Sequence, residues 1–282
     1  MSNKVYEIIT EKIIERMEAG DVPWLKPWVG TSRQSNLISK KEYRGINVFL
    51  LGCQNYASPY WLSFKQCKQV GGSVRKGEKS TMIVFWKQTV IKNKDNDGNE
   101  TSKTIPLLRY YRVFNVEQCD GIDEKKIPVI DVNLDFQPLE QCDAVVGGMQ
   151  KRPNIHHKEQ RAYYSPKNDF VNMPKKESFV NEEFYYAVLF HELGHSTGHD
   201  SRLERKKFNE WAPFGSDSYS KEELVAEMTA AFLCGHCQIE RETLDNAVAY
   251  INSWVRKFKE KPKMVVLAAA AAQKASDYIL GN

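Results

Sequence analysis

Two histidines four residues apart with a glutamate between them, in His191-Glu192-Leu193-Gly194-His195, are the residues of this sequence best suited to chemistry. On a helix, positions four apart share a face, so both imidazoles can bind one divalent metal while Glu192 stands beside the open coordination position. That is the arrangement of a zinc peptidase. The five-residue pattern also arises by chance in unrelated helices, so a third protein ligand is the test of it. In Tyr219-Ser220-Lys221-Glu222-Glu223-Leu224-Val225-Ala226-Glu227, Glu223 and Glu227 are again four apart, and Glu223 lies 28 residues beyond His195. Glu223 is the expected ligand. Glu227 is expected to orient a ligating histidine, or to serve as the alternate ligand.

His199 is less suitable, because Gly198 ends the helix before it. The longer metzincin pattern needs a histidine at position 201, where this chain has Ser201. His199 is therefore expected at a helix end or on a pocket wall. The expected cofactor is Zn2+, with another divalent metal compatible with the same ligands. A metal at such a site activates water and polarises a carbonyl, and Glu192 takes the proton and passes it to the leaving amine. The strand ending near Met173 is expected to hold an extended peptide by β-pairing. Tyr219 and His236 are candidates for the oxyanion donor.

Helical elements must hold these groups. The apolar, aromatic run from Phe179 leads into a helix to Thr197 that carries the metal motif. Lys221 to Cys234 reads as a second helix carrying the glutamates, followed by Leu244 to Lys259 and by Pro262 to Leu280, with Pro262 suited to a first turn. Arg161 to Ser165 and Asp169 to Pro174 read as paired strands. Nearer the amino terminus, Val5, Ile8, Ile9, Ile13 and Met17 mark a helix over about residues 3–19, ended at Gly20. Further helices are expected at Ile46 to Gln54 and Trp61 to Val70. Met82 to Lys92 and Lys103 to Val116 form a hairpin around the polar turn Asp95-Asn96-Asp97-Gly98. The stretch from Asp120 to Asp143 holds Pro128 and Pro138 without clear periodicity, and the boundary between two modules falls there. The fold class is α+β, with a mixed N-terminal module over 1–130 and a mainly helical, zincin-like one with a small sheet over 131–282.

Charge separates the same two modules. The net charge of the chain is +4, yet residues 1–90 hold fourteen Lys/Arg against seven Asp/Glu, leaving the remainder acidic. A basic module fits a polyanion. Trp24, Trp28, Tyr43, Trp61 and Phe64 supply flat faces, interleaved with Lys26, Arg44 and Lys65. Arg75, Lys76 and Lys79 sit in a glycine-rich turn suited to phosphates. Cations along a backbone and rings for bases are the sequence-tolerant means of holding single-stranded nucleic acid, and no basic recognition helix for duplex is present. The same turn only approximates a P-loop: Glu78 precedes the lysine, and a strand follows where a helix is required. Cys234-Gly235-His236-Cys237 follows a helix and has no second Cys-x-x-Cys, so these are read as buried or helix-end thiols. The longest apolar run, Met264 to Ala272, is far below the ~20 residues that span a bilayer. No membrane association is expected. The amphipathic, acid-bearing start is unlike a signal peptide, and the expected location is cytoplasmic.

Residues distributed over nearly the whole chain resemble ArdC-type antirestriction proteins. In the first module these are Pro23-Trp24, Pro27-Trp28, Tyr43-Arg44-Gly45-Ile46-Asn47, Trp61, Phe64-Lys65-Gln66 and the run from Gly71 to Lys79. In the second they are His191 to His199, Arg202-Leu203 and Glu222 to Glu227. The resemblance implies a single-stranded-DNA-binding domain joined to a zincin-like peptidase domain, carried by plasmids and other mobile elements and protecting incoming DNA from host restriction. The implied partners are single-stranded DNA and an unidentified protein substrate, for which a host restriction component is one candidate. Two alternatives stand beside a DNA-associated peptidase. One is a non-proteolytic protein that shields DNA or sequesters a partner around a structural metal site. The other is a protease for DNA–protein crosslinks. Glu192 favours an enzyme, since a structural zinc site needs no general base.

Overall fold

The computed structural model describes residues 2–25, 34–54, 56–94, 100–128, 137–205, 217–239 and 248–282. Two compact units account for the chain: Met1–Lys12 with Ser32–Val129, and Ile13–Thr31 with Ile130–Asn282. The described residues 13–25, which the sequence reading places in the first module, group with the second unit. Glu18 and Trp24 show this directly. Glu18 pairs with Lys259 at 2.9 Å, and the Trp24 indole meets Phe258 edge-on at 6.0 Å.

Helix α1 (Ser2–Glu18) buries Val5, Ile9, Ile13 and Met17 at helical spacing, its residues up to Lys12 belonging to the N-terminal unit. Strand β1 (Ser35–Asn36), helix α2 (Ile46–Gly52), strand β2 (Tyr60–Leu62) and helix α3 (Phe64–Gln69) follow. The helix expected from Trp61 is therefore a strand that turns into a helix. Ser63 makes the switch: its Oγ accepts from the Gln66 amide at 3.3 Å while Gln66 Oε1 accepts from the Ser63 amide at 2.8 Å, a capping box that fixes the helix start. Strand β3 (Ser73–Val74) pairs with β6 (Cys119–Asp120). Between them lies the hairpin of β4 (Thr81–Lys94) and β5 (Glu100–Asn115). Its expected turn, Asp95 to Gly98, lies outside the described residues.

The larger sheet of this unit runs β1-β2-β5-β4. Its core is Tyr43, Leu51, Trp61, Ile83 and Val113, with a second cluster of Leu37, Leu62, Cys67 and Val116. At the β4 edge, buried Asn47 of α2 bonds the backbone of one residue twice: Nδ2 donates to the Val84 carbonyl at 2.8 Å and Oδ1 accepts from the Val84 amide at 2.7 Å.

The C-terminal unit starts its regular structure at helix α4 (Pro138–Gly148). Pro138 had read as a breaker, but it occupies the first helical turn, where its missing N–H costs nothing, and Cys142, Val145, Val146 and Met149 then recur on a buried face. Strands β7 (Asn154–His156), β8 (Tyr163–Ser165) and β9 (Phe170–Asn172) form a sheet in the order β7-β9-β8. Strand β9 is bonded on both sides, so it offers no edge to a peptide, contrary to the expectation for the strand ending near Met173. Helices α5 (Glu182–Ser196), α6 (Asp217–Cys237), α7 (Val248–Glu260) and α8 (Met264–Leu280) complete the unit. Pro262 lies just before α8 rather than inside it. Among the described residues, no helix is long and apolar enough to cross a membrane.

Candidate metal centre

Helix α5 is well specified by its ends. Asn181 caps it, accepting from the Phe184 amide at 2.7 Å, and Glu182 and Glu183 occupy the first turn, where negative charge complements the exposed amides. The helix stops at Ser196, before Gly198 and His199. Arg202, buried to 1% exposure, ties that end down: Nε donates to the Ser196 carbonyl at 2.6 Å, and the guanidinium pairs with Asp169 and meets the Tyr164 hydroxyl at 3.1 Å. A buried cation is tolerable only with such a partner. The strand pair β8–β9 is thereby fastened to the end of the motif helix.

Helix α6 must approach α5 closely for its glutamates to reach the histidines, and Gly194 permits it. A Cβ at Gly194 would lie 3.2 Å from Ala226 Cα and 3.2 Å from Thr229 Cβ, tighter than ordinary packing. One turn earlier on each helix the metal-binding groups meet. His191 Nε2 and His195 Nε2 are 3.1 Å apart, and the two oxygens of Glu223 lie 3.5 Å from the first and 3.4 Å from the second. Ligand atoms about 2.0–2.2 Å from one tetrahedral metal stand about 3.3–3.6 Å from each other. One ligand atom from each of His191, His195 and Glu223 lies within 4.8 Å of the others, close to the spacing of three corners of such a site, and among the described residues this is the one cluster of this kind. The donor set of two imidazoles and a carboxylate suits zinc or another first-row divalent ion.

The far side of each imidazole also faces a carboxylate. His191 Nδ1 is 3.9 Å from Glu227, and His195 Nδ1 is 3.9 Å from Glu222. Glu227 thus stands behind His191 as the sequence reading expected, but the residue behind His195 is Glu222, which that reading gave no role. Glu222 is held in turn by Arg205, whose guanidinium pairs with it, with Thr197 Oγ1 at 2.5 Å and with the Gly194 carbonyl at 2.9 Å. Arg205 could not be found from spacing: it lies beyond the end of α5 and reaches back through space.

The charges act on one another. Burial lowers the His195 pKa, but Glu222 and Glu223 outweigh it and push the value up to about 10. For Glu223, burial works upward, and the two histidines override it, holding the carboxyl far below its ordinary value. Glu192 is buried on the same helix at 8% exposure. His199 is outside the cluster, its Nδ1 2.8 Å from Ser201 Oγ. His236 meets Gln141 at 3.3 Å, and the Tyr219 side chain is outside the described residues. Cys234 and Cys237 are buried at the end of α6, and Cys237 contacts Cys142, whose pKa it raises together with burial.

The residues expected to hold nucleic acid fare differently. Trp24 and Trp61 are fully buried and Tyr43 nearly so, so none offers a free face for a base. Tyr43 and Trp61 are core residues of the N-terminal unit, and Trp24 is one of the C-terminal unit. Trp28 lies outside the described residues. Arg44, Lys65, Lys76 and Lys79 are exposed. Arg75 is exposed too, but its guanidinium is engaged by Glu78 at 2.9 Å and Asp120 at 3.5 Å, which bind the turn to the neighbouring chain. Phe64, one of the expected flat faces, is 51% exposed, and the other aromatic side chains that face solvent, Phe85, Trp86, Tyr110 and Tyr111 at 43–50%, are ones the sequence reading assigned only to strands.

Comparison with known proteins also divides the chain in two, with the first family match running through the described residues 13–25 that pack with the second unit. Residues 3–114 match the N-terminal domain of the antirestriction factor ArdC, and residues 140–271 match the zincin-like metallopeptidase family. The crystal structure of the antirestriction ArdC protein from the R388 plasmid superposes with a TM-score of 0.75 at 37% identity in its metal-free form, covering 97% of this chain and 96% of that one. Its Mn(II)-bound form superposes with a TM-score of 0.75 at 35% identity, covering 98% and 97%. A DNA primase TraC of Escherichia coli is 35% identical over 294 residues, which is 98% of this chain but 27% of TraC, so the chain spans about a quarter of that relative. The uncharacterized protein y4eC of Sinorhizobium fredii is 32% identical over 288 residues, 98% of this chain and 91% of y4eC.

Proposed function

Since the chain belongs to the ArdC family of antirestriction proteins, we propose that it is a DNA-directed metallopeptidase: it binds single-stranded DNA and cleaves a protein encountered there, protecting incoming DNA from restriction. The observation that carries the peptidase half is the cluster of His191, His195 and Glu223, whose ligand atoms lie within 4.8 Å of one another, beside the buried carboxylate of Glu192. A divalent ion held by these three residues would polarise a peptide carbonyl and acidify water. Zinc is the proposed occupant, and manganese, present in the R388 relative, is the competing one.

The residues of the chain supply the rest. Glu192, shielded from solvent, accepts the proton of the attacking water and delivers it to the leaving amine. Glu227 and Glu222 face the outer nitrogens of the two histidines at 3.9 Å, and their charge favours the tautomer and ring orientation that leave both Nε2 atoms turned inward. Arg205 keeps Glu222 ionised and in place. The proposed setting is the cytoplasm, where entering single strands meet host nucleases, and the proposed substrate is a host protein bound to that DNA.

The test compares wild type with Glu192→Ala in two assays: survival of incoming DNA in a restricting host, and proteolysis in the presence of single-stranded DNA. The proposal expects both to fall together. Equal protection by the two proteins would remove proteolysis from antirestriction and leave a DNA-shielding protein with a structural metal.

A further inference from the structure

We propose that one face of the β4–β5 ribbon, bearing Phe85, Tyr111, Arg109 and Lys87, is the platform on which this protein stacks the bases of single-stranded DNA. The inference rests on the DNA-binding half of the reading above and gives it a surface. Strand register sets the face: Ile83 pairs with Tyr111, Phe85 with Arg109 and Lys87 with Leu107, and alternate residues of a strand point the same way. Phe85, Lys87, Arg109 and Tyr111 are all exposed.

The two rings brace each other. Phe85 and Tyr111 meet edge-on with centroids 5.6 Å apart, and Phe85 also leans on buried Tyr43 at 6.5 Å. This holds the rings at the border of the Tyr43–Trp61–Ile83 core while leaving half their area to solvent. Exposed large aromatics gathered in one place call for a partner, whereas scattered ones do not. Charge identifies the partner. Lys87 and Arg109 share the register of Phe85 and Tyr111, and the two strands as a whole carry six Lys/Arg, with Lys92, Lys94 and Arg112 in the alternate register, against a single acid, Glu100. A protein-binding core would be depleted in lysine, whereas a nucleic-acid strand is matched by lysine and arginine along its backbone and aromatic rings under its bases. Base faces are accessible only when the strand is unpaired, which favours single-stranded DNA over duplex.

The opposite face carries Trp86 and Tyr110, 43% and 46% exposed, but its indole and its cation lean on groups of their own unit. Trp86 rests 6.2 Å from Tyr6 of α1, and Arg112 donates to Ser80 Oγ at 3.2 Å. Buried Trp61 and Tyr43 are not the platform, but Tyr43 supports it.

The experiment measures binding of the full chain to labelled oligo-dT, to a duplex and to an RNA of the same length, by fluorescence anisotropy at several salt concentrations. Phe85→Ala with Tyr111→Ala should weaken oligo-dT binding about tenfold or more, while Phe85→Tyr with Tyr111→Phe keeps it. Arg109→Ala should reduce the slope of log affinity against log salt by about 0.7. All of these side chains are exposed, and an unchanged melting temperature would confirm folding. A double alanine variant that binds oligo-dT as tightly as wild type overturns the platform while the DNA-binding reading survives. A wild type that does not bind oligo-dT overturns that reading and the platform with it. Preference for the duplex or the RNA overturns single-stranded DNA as the occupant.

Discussion

The metal centre and the β4–β5 ribbon are both gathered from polar and aromatic side chains, but their internal bonding is opposite. Around His195 every group has a fixed partner: Glu223 on one side, Glu222 on the other, and Arg205 behind Glu222. On the ribbon, Phe85 and Tyr111 lean on each other and on Tyr43 at the core edge, and Lys87 and Arg109 beside them are exposed. A metal with bonds of about 2 Å tolerates little error, so its ligands need a second layer of contacts. A flexible DNA strand adapts to the surface it meets, and requires only flat area and positive charge. Buried connectivity in one place and exposure in the other therefore reflect the rigidity of what each must hold.

The sharpest way to break this contrast is Glu192→Gln. Peptidase activity should fall by about 10²–10⁴, the range expected for loss of a general base, while metal content and oligo-dT affinity stay as in wild type. Steady-state rates beside metal analysis decide it, and loss of metal in the variant would recast Glu192 as part of the ligand scaffold.

Arg205→Ala comes next. It leaves His191, His195 and Glu223 in place but frees Glu222, so zinc affinity measured by chelator competition should drop about 10–100-fold. Arg205→Lys should recover only part of this, because one ammonium cannot reproduce the fork that spans Glu222, Thr197 and Gly194. A normal zinc affinity in Arg205→Ala would make the second layer ornamental and erase the contrast with the ribbon.

Two glycines on helices give a smaller, paired test. Gly194→Ala forces a methyl against Ala226 and Thr229 and should destabilise the protein by about 1–3 kcal/mol in urea unfolding. Gly147→Ala in α4 meets open space and should stabilise by up to ~1 kcal/mol. The mildest effect is on pH. In metal-free protein the His195 pKa stands at about 10 against its ordinary 6.5, so the stability it contributes is complete below about pH 6.5 and is lost as pH rises through 10. The melting temperature of chelator-treated protein should decline over that window, and bound zinc should flatten the decline.

These two regions were also unequally legible in the sequence. The pairing of His191 with His195 follows from helical spacing, and Glu223 from a search for a carboxylate four residues from another, because a metal site constrains residue type and periodicity together. Stacking constrains exposure, which sequence does not encode locally. Trp24 and Trp61 looked like platforms and proved to be core, while Phe85 and Tyr111 looked like ordinary strand residues. The α+β class and the long elements could be read, including α5 and the hairpin. Strands β1, β3, β6 and β7, of two or three residues, are too short to display a period. Helix α4 was missed because a proline in a first turn and a proline that breaks a helix look alike until the cap is seen.

The two hydrogen bonds from Asn47 to Val84 have a consequence for assembly and alignment. Among the described strands β4 closes its sheet on one side, and a long strand in that position invites pairing with a foreign chain. The Asn47 amide imitates a neighbouring strand at one residue and occupies that opening. It also indexes β4 against the body of its unit. Sliding the strand by one residue would carry every odd-numbered side chain to the reverse of the ribbon, Phe85 and Lys87 among them. A single buried amide thus selects which of two chemically different surfaces the ribbon presents.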